Sequence, residues 1–308
     1  MSLVVVGTVA FDAIETPFGK TDRIIGGAAT YISLAASYFV KDVKVVSAVG
    51  GDFPQEYIAL LNDHGIDTSG LEIRKEEKSF FWAGRYNADM NSRETLVTEL
   101  NVIEGYKPVL PDSYGDAEFL MLGNLSPDIQ ISVLEKLTTR PRLIILDTMN
   151  FWIDNTPAEL KRVISMVDVL VINDAEARQL SGEYSLPKAA KKIITMGPDH
   201  LIIKKGENGA LLFSENKIFF APALPLEDVF DPTGAGDSFA GGFTGYLAKT
   251  GDISFGGMKN AIIIGSAMAS FCVEKFGTEK LIDLTMAEIY NRVQEFVELV
   301  KFTDIEIS

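Results

Sequence analysis

The strongest constraint on this chain is an alternation. Short, almost unbroken apolar runs at residues 3–6, 43–49, 119–122, 143–146, 169–172, 201–203 and 210–213 are separated by longer amphipathic stretches. A strand without polar alternation needs cover on both faces, which a parallel sheet between helix layers provides. The stretches at 28–39, 54–64, 128–137, 157–166, 188–195, 235–249, 258–273 and 286–302 supply those helices. The pattern predicts an α/β chain: a three-layer αβα sandwich on a doubly wound, mostly parallel sheet. Ligands of such sheets bind beyond the carboxyl ends of the strands. Residues 7–12, Asn124, Asp147, Asn173 and Gly206 fall at that edge.

Two segments break the alternation, at 14–25 and 79–100. They are polar and aromatic, and the second holds Phe80, Phe81, Trp82, Arg85 and Tyr86. Both flank the Gly26-Gly27 turn, and they are predicted to form small strands outside the main sheet, as a β lid. No internal repeat or linker divides the chain, so one unit with a lid is expected.

Composition removes several chemistries. The net charge is −15, which repels nucleic acid and anionic membranes. Any anion must be held by a local device such as backbone N–H groups. Cys272 is the only cysteine, and His64 and His200 are the only histidines. No disulfide and no four-ligand His/Cys zinc site can be built within the chain. His64 is expected in a surface loop and His200 at a strand entry. The start of the chain reads as a first buried strand rather than a leader, and the apolar run near 261–271 is too short to span a membrane. A cytoplasmic location is expected.

The run Asp231-Pro-Thr-Gly-Ala-Gly-Asp237 is the sharpest chemical signal. Its glycines let backbone N–H groups converge at a helix start, where the unpaired donors and the positive dipole end attract an anion. A carboxylate in that first turn stands about one hydrogen bond from the same point. Phosphoryl transfer needs this pair: donors for the migrating group and a base for the proton of the attacking hydroxyl. An isolated Asp would only favour the helix end. Here two glycines precede it and Asp231 stands six residues earlier. No P-loop is present, and no Gly-x-Gly-x-x-Gly follows the first strand, which argues against a dinucleotide-dependent oxidoreductase.

Taken in order from Gly7 to about Gly277, these motifs resemble the PfkB/ribokinase family of sugar and nucleoside kinases. The resemblance implies a ribokinase-like catalytic fold over 1–308 that uses ATP and Mg2+. Asp237 becomes the base, and Gly234, Ala235 and Gly236 the anion hole. Asp231 and Thr233 would bind a monovalent cation, usually potassium, helped by backbone near Cys272, Lys275 and Gly277. Asn173-Asp-Ala-Glu176 is similar to the family's Asn-x-x-Glu motif, with Glu176 holding magnesium through water. A helix cap is the competing reading of Asn173. Lys204, Lys205, Gly206 and Gly209 match the nucleotide loop, with Lys204 where many members carry Thr, and Ser266 falls beside the adenine. Asp12, Gly26, Gly27, Thr30 and Asn124 match the substrate-gripping positions.

Ala10 and Thr30 replace polar residues of ribokinases, and no Arg follows Asp147-Thr-Met-Asn150. These changes disfavour ribose itself and phosphorylated or carboxylated substrates. With the ring-capable aromatics of the lid, they lean toward a nucleoside or an unusual sugar. The expected activity is transfer of the ATP γ-phosphate to a primary hydroxyl. The alternative is a non-catalytic nucleotide- or sugar-binding member of the fold. The expected partner is the small-molecule substrate, with neither nucleic acid nor membrane, and open lid strands offer an edge for a homodimer.

Overall fold

The computed structural model describes residues 1–301. Leu3 and Val5 of β1 (Ser2–Val6) enter one apolar cluster, while Val4 and Val6 enter another. This is the two-faced burial that an unbroken apolar run demands. The chain then leaves the main sheet for β2 (Ala10–Thr16), β3 (Gly19–Lys20) and β4 (Ile24–Gly26). It returns through α1 (Ala28–Ser37) to β5 (Asp42–Gly50), α2 (Gln55–Asp63) and β6 (Ile66–Arg74). It departs again in β7 (Phe81–Tyr86) and β8 (Arg93–Glu99).

From β9 (Phe119–Leu122) the alternation is regular. It runs through α3 (Pro127–Lys136), β10 (Leu143–Asp147), α4 (Asn150–Asn155), α5 (Pro157–Ile164), β11 (Val169–Asn173), α6 (Asp174–Ser181), α7 (Leu186–Ile194) and β12 (His200–Lys204). A hairpin of β13 (Ala210–Ser214) and β14 (Lys217–Ala221) precedes α8 (Ala235–Thr250), α9 (Phe255–Cys272), α10 (Glu279–Ile282) and α11 (Met286–Val300).

The main sheet has the order β14-β13-β12-β11-β10-β9-β1-β5-β6. Its pairs are parallel except β12 with β13 and β13 with β14. Phe239, Phe243 and Leu247 of α8 and Ile262 and Met268 of α9 cover one face; Ile131, Leu160 and Ile193 cover the other. Connections from β1 run to both sides, so a crevice opens at its carboxyl end. There Gly123 N–H donates to Val6 O at 2.7 Å. A second sheet of five strands, ordered β3-β2-β7-β8 with β4 on β2, is the lid.

The lid begins earlier than expected, at Ala10 rather than 14, so Asp12 lies within a lid strand instead of at the main-sheet edge. Strands β6 and β14 are additional to the seven predicted. Both are edge strands: β6 interrupts its apolar residues with polar ones, and β14 carries a short apolar run, Ile218–Ala221, that is largely exposed. His64 lies in the turn that follows α2, as expected, but it is half-buried, with Nδ1 2.8 Å from Leu60 O and Nε2 3.1 Å from Ile282 O. His200 opens β12 as expected. The last residue of the predicted helix 286–302 lies outside the described residues. Among the described residues no helix is long and apolar enough to cross a membrane.

Candidate active site

Asp237 sits in the first turn of α8. Gly234 caps that helix in the left-handed region, at φ 75°, and offers no side chain to its N–H groups. A β-carbon there would stand 2.4 Å from the Tyr31 ring, so both backbone and space require glycine. Ala235 N–H turns back to Pro232 O at 3.2 Å, and Ser238 N–H reaches Gly234 O at 2.7 Å. Helix geometry leaves the N–H groups of Gly236 and Asp237 as the free donors. Of the three residues expected to form an anion hole, Ala235 has its N–H turned back into the loop.

Asp231 braces this turn. Its Oδ1 accepts Thr233 N–H at 2.8 Å and its Oδ2 accepts Gly277 N–H at 2.8 Å. Phe230 N–H donates to Val273 O at 2.8 Å, tying the same loop to the end of α9.

Asp12 faces the turn from the lid. Its carboxylate packs on Gly26, where an added β-carbon would fall 2.0 Å from Oδ2. Gly27, at φ 90°, turns its N–H to Asp12. Burial pushes Asp12 up to about 7, against the Gly27 N–H and helped by the charges of Asp231 and Asp237. Burial likewise pushes Asp237 up to about 7; Asp147 adds to the shift, and Lys204 and Arg93 oppose it.

The third part comes from adjacent strand ends. Lys204, at the end of β12, places Nζ 2.9 Å from Asp147 Oδ2, at the end of β10. Between them, β11 ends in a capping box: Asn173 Oδ1 accepts Glu176 N–H at 2.8 Å, and Glu176 Oε2 accepts Asn173 N–H at 2.7 Å. Glu176 is raised to about 7 by burial, with Lys204 opposing and Asp147 adding. Asp147, Glu176, Asp237 and Lys204 therefore act on one another at the carboxyl ends of these strands.

The model of the pfkB family carbohydrate kinases matches residues 2–284. The chain belongs to this family. It is 29% identical over 248 residues to a cytidine kinase of Thermococcus kodakarensis, covering 79% of this chain and 87% of that one. It is 28% identical over 306 residues to a nucleoside kinase of Methanothermobacter thermautotrophicus, covering 90% and 91%. The crystal structure of Methanocaldococcus jannaschii nucleoside kinase, an archaeal member of the ribokinase family, overlays with a TM-score of 0.76 at 23% identity. That overlay covers 96% of this chain and 99% of the other. The fold is ribokinase-like, and the PfkB chain is an ATP-dependent phosphotransferase acting on an alcohol group of a sugar or nucleoside.

Not every expected residue of this PfkB chain points into the cleft. Thr30 is buried, and its hydroxyl donates to Gly26 O at 2.7 Å, so it secures the glycine turn. Asn124 accepts from Trp152 Nε1 at 2.8 Å and thereby seats α4. Lys205 Nζ lies over the Phe220 ring, 5.9 Å from its centroid. Gly209, at φ 79°, turns the β12–β13 hairpin, and Ser266 is half-buried on α9.

One residue was missed. Arg93 opens β8 opposite Tyr86, and its guanidinium lies 5.4 Å from the centroid of Trp82. Its charge acts on Asp12, Asp237 and Glu176. The segment 79–100 carries both Arg85 and Arg93, and only the strand register sets Arg93 toward Asp237.

Proposed function

We propose that the acceptor is a nucleoside, phosphorylated on its primary hydroxyl. One observation carries this reading. Asp12 and Trp82 are register partners on adjacent parallel strands, so they share a lid face. The Trp82 ring lies against Gly84, where an added β-carbon would stand 2.2 Å from the indole. A hydroxyl-gripping carboxylate beside an aromatic plate matches a ribose joined to a base. Ala10, two residues before Asp12 on β2, is buried and gives no extra polar contact for a free sugar.

The proposed mechanism uses this chain's groups in order. Asp12 accepts from substrate hydroxyls and sets the sugar against the Gly26-Gly27 turn. Asp237 takes the proton of the attacking hydroxyl. The N–H groups of Gly236 and Asp237 stabilise charge on the migrating phosphoryl group, and the lid excludes water that would otherwise compete. Glu176 suits magnesium: its carboxyl is buried, raised to about 7, and already oriented by Asn173. Bound there through water, the ion would neutralise charge on the ATP phosphates.

A potassium ion at Asp231 and Thr233 is proposed as an accessory. Asp231 already braces the turn through two backbone N–H groups, while the buried Tyr31 hydroxyl beside Gly277 has no partner among the described residues. ADP release measured across free sugars, sugar acids and nucleosides, with magnesium and with or without potassium, tests these readings. Nucleosides should show the highest kcat/KM; a higher value for free ribose would overturn the acceptor assignment.

A further inference from the structure

Lys204 occupies a place that anion-turn and cap geometry alone do not explain. A β-carbon added to Gly236 would stand 3.0 Å from its Nζ. The ammonium therefore lies against the backbone that supplies a free N–H to the phosphate. Its side chain is 19% exposed and that of Asp147 is 8% exposed. Register pairs Asn173 with Lys204, so the lysine also stands beside the Asn173–Glu176 cap. Burial of the ammonium is opposed by Asp147, Glu176 and Asp237, which hold it charged.

A buried ion pair is weak evidence for stability, because desolvation offsets much of the attraction. A purely structural reading also leaves unexplained why the pair opens onto the anion turn. An ammonium has three N–H donors, and the contact with Asp147 at 2.9 Å uses one. The others are free to meet oxygens of a phosphoryl group held at the Gly236 N–H.

We infer that Lys204 is a catalytic residue of the phosphoryl transfer, with Asp147 as the positioning residue that aims its ammonium. The inference rests on transfer occurring at Asp237. In the step, the acceptor oxygen bonds to the γ-phosphorus. The bond from that phosphorus to the bridging oxygen breaks, its electron pair leaves on ADP, and the acceptor proton passes to Asp237. Lys204 neutralises charge on the oxygens of the moving group. Among the described residues, the ionisable groups around this point include Asp12 from β2, Arg93 from β8, Asp147 from β10, Glu176 from α6, Lys204 from β12 and Asp237 from α8.

The test compares Lys204→Met, Lys204→Arg and the double variant Lys204→Met/Asp147→Asn with the intact protein. Measured are turnover, melting temperature, ATP affinity by calorimetry and the pH profile of kcat/KM. Loss of the cation should lower kcat by about 10²-fold or more. Arginine should restore part of that loss, and the acid limb should move to higher pH in Lys204→Met. The double variant removes the unpaired buried carboxylate, so it should melt no lower than Lys204→Met yet stay slow. Near-wild-type turnover in the double variant would show the pair to be structural and would overturn the inference. Asp237→Asn is the control. If it is slow while Lys204→Met is not, only the lysine assignment fails; if it turns over normally, the transfer site itself is wrong.

Discussion

The Tyr86 hydroxyl, on lid strand β7, lies 3.3 Å from Oγ1 of Thr233 in the turn that leads into α8. Both residues are buried, so the lid is joined to the turn before α8 through the interior and not across its rim. A second link acts at the other end of the lid. Arg23 pairs with Asp52 at 2.9 Å, and Asp52 Oδ1 accepts Ser79 N–H and Oγ–H, each at 2.7 Å.

Tyr86→Phe removes the inner link and leaves the ring in place. The lost hydrogen bond corresponds to about 1 kcal/mol, or roughly fivefold in an equilibrium constant. KM for the acceptor should rise by about that factor, and the melting temperature should fall slightly. Steady-state kinetics check this; an unchanged KM would mean that lid docking does not depend on this bond.

Asp237→Asn keeps the shape of the side chain and removes its basicity. General-base catalysis contributes about 10²–10⁴-fold, and turnover should fall by that amount. ATP binding should persist, because the Gly236 and Asp237 backbone N–H groups remain. Rapid-quench or coupled assays give the turnover, and calorimetry gives the affinity. Turnover within a fewfold of the unaltered protein would remove Asp237 from the role of base.

The parts of this site that could be read in the sequence are those built from neighbouring residues. Gly234, Gly236 and Asp237 lie in one turn, and Asn173 and Glu176 form one cap, so spacing alone declares them. The inner strands were equally plain, because each bears apolar residues on both faces. Lys204 and Asp147 are 57 residues apart, and nothing local announces their pairing. Arg93 depends on the register of β7 with β8, and that register includes an irregularity between Ala83 and Gly84. Edge strand β6 was hidden for a related reason: polar residues interrupt its apolar signal, whereas β14 carries an apolar run and was passed over.

Trp82→Ala removes the proposed base platform, and Gly84→Ala should displace it, since the new methyl would overlap the indole. Aromatic stacking contributes about 0.5–1.5 kcal/mol beyond buried area. Nucleoside KM should rise several-fold or more in both variants, while residual phosphorylation of free ribose should change little. Equal losses for nucleoside and ribose would show that Trp82 shapes the lid and does not contact a base.

Activity and stability should respond to pH in opposite directions. The folded pKa values of Asp12 and Asp237 are raised to about 7 from 3.8, chiefly by burial. Between those values the folded chain binds protons that the unfolded chain has released, so stability falls as pH rises through the window. Above about 7 the carboxyls are ionised in both states and the destabilisation stays constant. The base, by contrast, works only when ionised, so kcat/KM should climb as pH rises toward about 7 and then level. Carboxylates with lowered pKa, such as Glu288 at about 2, lose their stabilising contacts only at much lower pH. The melting temperature should therefore be higher near pH 5.5 than near pH 8. In Asp237→Asn that difference should shrink, with the gain appearing at pH 8, where a buried charge has been removed. Calorimetric melts of both proteins at the two pH values check this. A pH dependence left untouched by Asp237→Asn would show that Asp237 titrates near its ordinary value.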